Sequence, residues 1–398
     1  MDEILVERDR AFPGVSIPGV ILIDPGRLSD LPALGGETDL LRGLQLLPGV
    51  KSISELSSGL YIRGTTSDQN LYTLDGATIY NPTHLWGFIS TINPDALRDT
   101  RLSKGMFSPE NGGRIGGVVD MMEREGTQER IRGSAGLSFL DARLSLEGPI
   151  SEGTTFMVAA RRAYFDLILP LVVSRDDPAQ RYYFYDVTAK VNTRLSESDH
   201  LFASGYLGRD VYTSTSPSTS SETTDIWWGN STANLRWTHI HSPSLFTVLS
   251  AVYSTYNFSS EQNDRYLQIA PLGLSSHSGI QDITVKTLIE YYVGSRTTIR
   301  AGVDLVRHQI RSDVGENVAQ NPGAIFDRPV ITPLCVSLWV SDRWNADDVL
   351  AFDIGARLSR FSSSVGSFTR FEPRVSAEMT VAENLLIHGV VSESSQFL

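Results

Sequence analysis

The chain has 398 residues, 41% of them hydrophobic, and 46 Asp and Glu against 34 Lys and Arg give a formal charge of −12. Such acidity excludes a nucleic-acid binder, which needs a concentrated basic surface to meet phosphate. No apolar run approaches the roughly 20 residues of a spanning helix, so a helical membrane protein is excluded as well. The single cysteine, Cys335, leaves no internal disulfide, and no Cys or His spacing fits a zinc site.

The first part of the chain, to about Gly126, is rich in Gly, Pro and Asp and reads as a small α+β unit. Residues 39–47 predict a short helix, capped by Asp39 or Thr38 and stopped by Pro48-Gly49. Short strands follow at 60–62, 71–74 and 77–80. Asp75-Gly76 between the last two is a hairpin signal, because both central residues of such a turn need positive φ. A second short helix is expected at 93–97, with Asn93 as cap and Pro94 in the first helical position.

After about Arg132 the texture changes to strict alternation. Val187, Ala189 and Val191 alternate with Asp186, Thr188 and Lys190, and Ile299, Ala301, Val303 and Leu305 alternate with Arg300, Gly302 and Asp304. Phe352, Ile354, Ala356 and Leu358 do the same against Asp353, Gly355 and Arg357. Successive strand side chains point to opposite faces, so each segment has one apolar and one polar face. Tight turns at 149–153, 196–199, 241–244, 294–296, 345–348 and 382–384 alternate with long polar connectors at 214–225, 259–276 and 312–327. Short turns at one end and long loops at the other are the signature of a transmembrane antiparallel β-barrel. Aromatic clusters such as Tyr182–Tyr185, Trp227-Trp228 and Trp344 suit an interfacial girdle. About twelve strands are expected, within a mainly β chain.

Residues 41–126 closely resemble the plug domain of TonB-dependent outer-membrane receptors, in the branch that often carries an N-terminal carboxypeptidase-regulatory-like module. The matching elements, in order, are Pro48-Gly49-Val50, Ile62-Arg63-Gly64, Leu74-Asp75-Gly76, Tyr80-Asn81-Pro82, Asn93-Pro94-Asp95, Lys104-Gly105 and Gly112-Gly113-Arg114. Arg161-Arg162-Ala163-Tyr164 resembles an early-barrel motif of that branch, and Asp2, Glu3, Ile4, Leu5, Val6 and Glu7 resemble a TonB box. The resemblance implies an N-terminal segment (1–30), a plug (31–128) and a barrel (129–398). Family barrels have 22 strands, so about twelve implies that further strands, like the signal sequence, lie outside this chain. It also implies localisation in the outer membrane as a multi-pass barrel among its lipids, with TonB, ExbB and ExbD as partners.

The residues singled out for gating are Arg63, Gly64, Asp75, Gly76, Lys104, Gly105, Gly112, Gly113 and Arg114. Arg63 and Arg114 either pair with carboxylates that part when TonB pulls, or hold turns beside their glycines. Thr83, His84 and Trp86 are expected to face the ligand, a small molecule, glycan or peptide, with a surface lipoprotein as a further partner. His239 and His241 share a strand face but no metal site is expected, nor a cofactor. No nucleophile elbow, zinc-protease or phosphate-loop motif is present, so no enzyme is expected. The function expected is import across the outer membrane. Signalling or adhesion without transport, and a soluble all-β binding protein, are the rival readings.

Overall fold

The computed structural model describes residues 20–26, 36–52, 54, 57–105, 107–172, 179–215, 222–264, 272–318, 321–326, 330–382 and 385–397. The segment resembling a TonB box lies outside them. In the N-terminal unit, helix α1 (Leu40–Gln45) is capped by Asp39, whose carboxylate accepts the Arg42 N–H at 2.9 Å and the Ser90 N–H at 2.6 Å. Leu40, Leu41 and Leu44 form its buried stripe. The expected second helix is a single 3₁₀ turn, Pro94–Ala96, capped by Asn93. It ends at Leu97 because that residue opens a strand instead.

Among the described residues, nine strands belong to this unit: β1 (Val20–Ile23), β2 (Val50–Lys51), β3 (Tyr61–Ile62), β4 (Leu71–Leu74), β5 (Ala77–Thr78), β6 (Thr83–His84), β7 (Ile89–Ser90), β8 (Leu97–Ser103) and β9 (Val118–Glu123). Five of them form one sheet in the order β1-β8-β9-β4-β5, in which β4 and β9 run parallel and the other neighbours antiparallel. Its core gathers Leu40, Leu44, Leu60, Ile62, Leu102 and Val119, and Tyr206 of the second unit packs onto it.

The second unit is one antiparallel sheet. Its strands are β10 (Arg132–Leu137), β11 (Asp141–Ser151), β12 (Thr154–Ala163), β13 (Ala179–Arg194), β14 (Asp199–Thr215), β15 (Glu222–Ser242), β16 (Leu245–Asp264), β17 (Leu272–Val293), β18 (Thr297–Val318), β19 (Asn321–Phe326), β20 (Leu334–Asn345), β21 (Leu350–Ser363), β22 (Gly366–Ala382) and β23 (Leu385–Ser392). Each pairs with the next, except that β18 pairs β20 along its first half and the flap β19 along its last residues. The path has thirteen strands, against about twelve expected. Helix α2 (Phe165–Val172) sits at the top, between β12 and β13.

The expected alternation becomes two chemically distinct faces. Asp186, Thr188 and Lys190 are buried against the N-terminal unit, while Val187 and Val191 are exposed on the other side. Cys335 is half-buried. The long connectors are shorter than expected, because the ladders run on through them: Thr215 still pairs Thr223, and Leu272 pairs both Asp264 and Val318. Polar residues do not stop a strand whose backbone groups find partners across an antiparallel pair. Strands of 20 to 22 residues, such as β16 and β17, exceed the roughly 9–11 that cross a bilayer and so project beyond it.

Candidate functional site

At the apex of the N-terminal unit, β6 leads into three consecutive residues with positive φ: Leu85 at 50°, Trp86 at 52° and Gly87 at 102°. Two of them carry side chains in a region that costs an L-residue roughly 1–2 kcal/mol each, so the turn must be held from outside. Asp210 of β14 accepts the Leu85 N–H at 3.0 Å, the Tyr182 hydroxyl of β13 accepts the same N–H at 2.7 Å, and that hydroxyl donates to Asp210. The result is an indole held up among rings. Trp86 is 56% exposed, with Tyr182, Tyr212 and Trp228 at centroid distances of 5.3, 5.2 and 5.1 Å. A groove of about 370 Å³ lies beside it, lined by Tyr61, Asp68, Tyr80, Asn81, Thr83 and Gly87.

Of the three residues expected to face a ligand, Trp86 is exposed, Thr83 is half-buried with its hydroxyl donated to Asn81 at 2.9 Å, and His84 is buried. His84 is 1% exposed and stacks on Phe184 at 4.0 Å. Its Nδ1 meets Asp210 at 2.6 Å and its Nε2 meets Asp186 at 3.3 Å. Burial alone would lower its pKa, but the two aspartates outweigh that and raise it. Both ring nitrogens face a carboxylate, an arrangement that favours the charged form of the ring. Asp186 also accepts from Arg161 of β12, which reaches on to Glu37 at 2.9 Å and to the Ser90 carbonyl at 2.8 Å. A continuous buried chain of alternating charge thus runs from the N-terminal unit to the wall and back.

Below this, the Asp75-Gly76 turn takes φ values of 50° and 87° and its tip is gripped by the wall. Lys190 lies 3.1 Å from the Asp75 carboxylate, Arg236 and Asn234 donate to the Asp75 carbonyl, and Lys286 donates to the Gly76 carbonyl. Glu123 stands beside Asp75, where burial and that like charge hold its carboxyl well above the usual range, and Thr188 donates to it. A third grip closes on residues 107–112. Arg374 donates to the carbonyls of Phe107, Ser108 and Asn111, and Arg357 to those of Pro109 and Glu110 while pairing with Asp304 at 2.8 Å. Arg300 pairs with Glu110 at 2.9 Å.

The other gating candidates fall into two groups. Arg63, at φ 50°, lies against Gly105 and near Lys104, which donates to the Pro48 carbonyl at 2.7 Å; burial and the Arg63 charge lower the Lys104 pKa. Arg114 donates to the Gly113 carbonyl at 2.9 Å. Gly64, Gly105 and Gly113 supply positive φ. Gly112 is different, since a Cβ there would clash with the Arg357 guanidinium. Sequence reasoning singled out Arg161 only as part of a motif and missed Asp210, Asn230, Asp282 and Arg374 as contact residues. The signal available for these four was a charged or amide side chain on the polar face of an alternating strand. Asn230 brackets Tyr80 and Asn81, accepting both N–H groups at 3.1 and 3.2 Å and donating to the Asn81 carbonyl, while the Tyr80 hydroxyl donates to Asp282. Among the described residues, no cluster of three or more metal-ligating side chains occurs.

Residues 29–118 match the family model described as the TonB-dependent receptor plug domain. No curated protein matches the sequence. Among solved structures, the chain is similar to the siderophore receptor PirA from Acinetobacter baumannii, at 15% identity and a TM-score of 0.69 over 96% of this chain and 61% of that one. It is similar to a mutant of the ferric enterobactin receptor PfeA from Pseudomonas aeruginosa, at 14% and 0.69 over 95% and 62%. The ferric-catecholate import receptor Fiu from E. coli K12 gives 13% and 0.67 over 95% and 69%. At such identities the likeness is one of fold. The chain spans about three fifths of the length of the first two.

Proposed function

We propose that this chain, which carries the plug and barrel strands of a TonB-dependent outer-membrane receptor, captures a compact, ring-bearing metal chelate at its apex and admits it past the plug when TonB pulls. The observation that supports this most is the exposed Trp86, held at positive φ in a half-ring of Tyr182, Tyr212 and Trp228. An indole exposed at the outer end of a lumen and backed by buried or half-buried rings suits a ligand with planar rings of its own. A backbone held in strain at that point suits a site rather than a scaffold. The similar structures include a siderophore receptor and a ferric-catecholate import receptor, which supports the same ligand class.

Import rather than static binding is supported by the nature of the grips beneath the apex. They are hydrogen bonds and ion pairs between separate units, and such contacts can be exchanged for water when the plug shifts, which a continuous apolar interface cannot do cheaply. The outer membrane has no energy source, so the pull is assigned to TonB with ExbB and ExbD, acting through residues 2–7.

The test uses a ferric tris-catecholate as probe. Trp fluorescence of the intact protein in detergent should be quenched on titration, and Trp86→Ala should weaken binding by about tenfold or more. Cells producing the protein should accumulate radio-iron from the probe only when TonB is present. Binding that is indifferent to Trp86, or accumulation that persists without TonB, would overturn the proposal.

A further inference from the structure

We infer that the imported chelate meets the barrel wall above the plug with an uncharged face, so that the site takes a neutral, ring-bearing chelate in preference to a polyanionic one. The inference rests on the ligand reading given above and narrows it to a charge class.

The two faces of the same strands differ. The upper halves of β14–β18 stand beyond the outward apolar run, which ends at Ile283 on β17 and at Leu305 on β18. Water bathes the outer face there, and charge appears on it, at Arg209, Asp225, Glu261, Arg311 and Asp313. The inner face is otherwise. Above Asp210 on β14, Asn230 on β15, Asp282 on β17 and His308 on β18, no described side chain on the inner face of β14–β18 is charged. Ile226, Phe258 and Ile280 stand there with Ser260, Ser276 and Ser278, all half-buried. A wall that met only water would have no reason to sort its charges by face, whereas one that gives up its water to an uncharged surface does.

The charges that border this wall are committed to partners. Asp210 is held by His84 and Tyr182, and Asp282 by the Tyr80 hydroxyl and by His308 at 2.6 Å. On the plug, Asp68 is the only charged side chain lining the groove beside Trp86 among the described residues. Lys51 stands across the β2–β3 ladder from Tyr61 but does not line that groove, and Arg63 lies against Gly105. An anion seated here would lose water, find no cation lining the groove or the upper wall, and face a carboxylate. A tris-catecholate offers its rings to Trp86 but leaves its negative charge unpaired against these strands. A chelate whose donor groups just neutralise the metal strands no charge at all.

The experiment titrates two probes into the intact protein in detergent, with Trp fluorescence as the readout. One is the trianionic ferric tris-catecholate; the other is ferric tris-benzohydroxamate, which sets planar rings around the same metal with no net charge. The neutral probe should bind at least about tenfold more tightly. Ser278→Lys, which sets an ammonium on the inner wall, should bring the trianion to within about twofold of the neutral probe, and Ser260→Lys should do the same if the first variant fails to fold. His277→Lys, next along β17 on the outer face, should leave the preference as it is in the wild type. Binding of the trianion as tight as that of the neutral probe would overturn the inference. So would a preference unmoved by either inner lysine, or one moved as far by the outer lysine. Failure of the ligand reading would look different: neither probe would quench the fluorescence, or both would bind equally well to Trp86→Ala.

Discussion

His84 lies between Asp186 and Asp210 with both ring nitrogens in contact, and this makes docking of the apex sensitive to pH. Its raised pKa means the charged form is favoured in the docked state. That contribution is complete below the ordinary imidazole value of 6.5 and is lost as pH climbs through the raised value. Hydrogen exchange at residues 83–90 should therefore quicken as pH rises, and His84→Gln should flatten the dependence; a profile identical in wild type and variant would contradict the pairing. Arg161 is fully buried between Asp186 and Glu37. Removing one partner of such a pair leaves charges stranded, so Arg161→Ala should destabilise plug docking by roughly 3–5 kcal/mol, read as a fall in the unfolding midpoint. His84 was legible as a notable residue, but not its direction. Its partners lie 102 and 126 residues away, and only the folded barrel brings carboxylates to face it.

The Asp75-Gly76 hairpin was legible as a turn from two residues, because positive φ at both positions is a local demand. Its second role was not, since the groups that grip it, Lys190, Arg236 and Lys286, come from three barrel strands. Asp75→Ala should leave Lys190 without its buried carboxylate and free the tip, at a cost of up to about 3 kcal/mol, measured as faster proteolysis of the plug. Gly112 gives a sharper case. Glycine there was readable as a backbone turn, yet the structure requires it because Arg357 occupies the space of a Cβ. Gly112→Ala should displace Arg357 from the Pro109 and Glu110 carbonyls and cost about 1–3 kcal/mol; an unchanged unfolding midpoint would show that the clamp carries no weight. Strand alternation was fully legible, and strand length was not, because polar ladders above the bilayer look like loops when no apolar face marks them.

At the scale of the molecule, the decisive feature is a sheet with one face buried in polar contacts and the other apolar and exposed, wrapped around a separately cored plug. The two faces were legible from period two alone, and the plug from its ordered motifs. The docking between them was not, since it depends on side chains scattered over many strands of the wall meeting several short plug segments. Deleting Asp2 to Glu7 from the intact protein should abolish uptake of the ferric probe while leaving its binding unchanged. The most direct measurement is a tether between plug and wall. In a Cys335→Ser background, cysteines replacing Asn81 and Asn230, whose side chain and backbone now meet at 3.2 Å, would be oxidised to a disulfide in cells. Uptake should fall to background and recover on reduction, with binding unaffected throughout. Uptake at the untethered rate, with the disulfide complete, would contradict a plug that must move for the lumen to open.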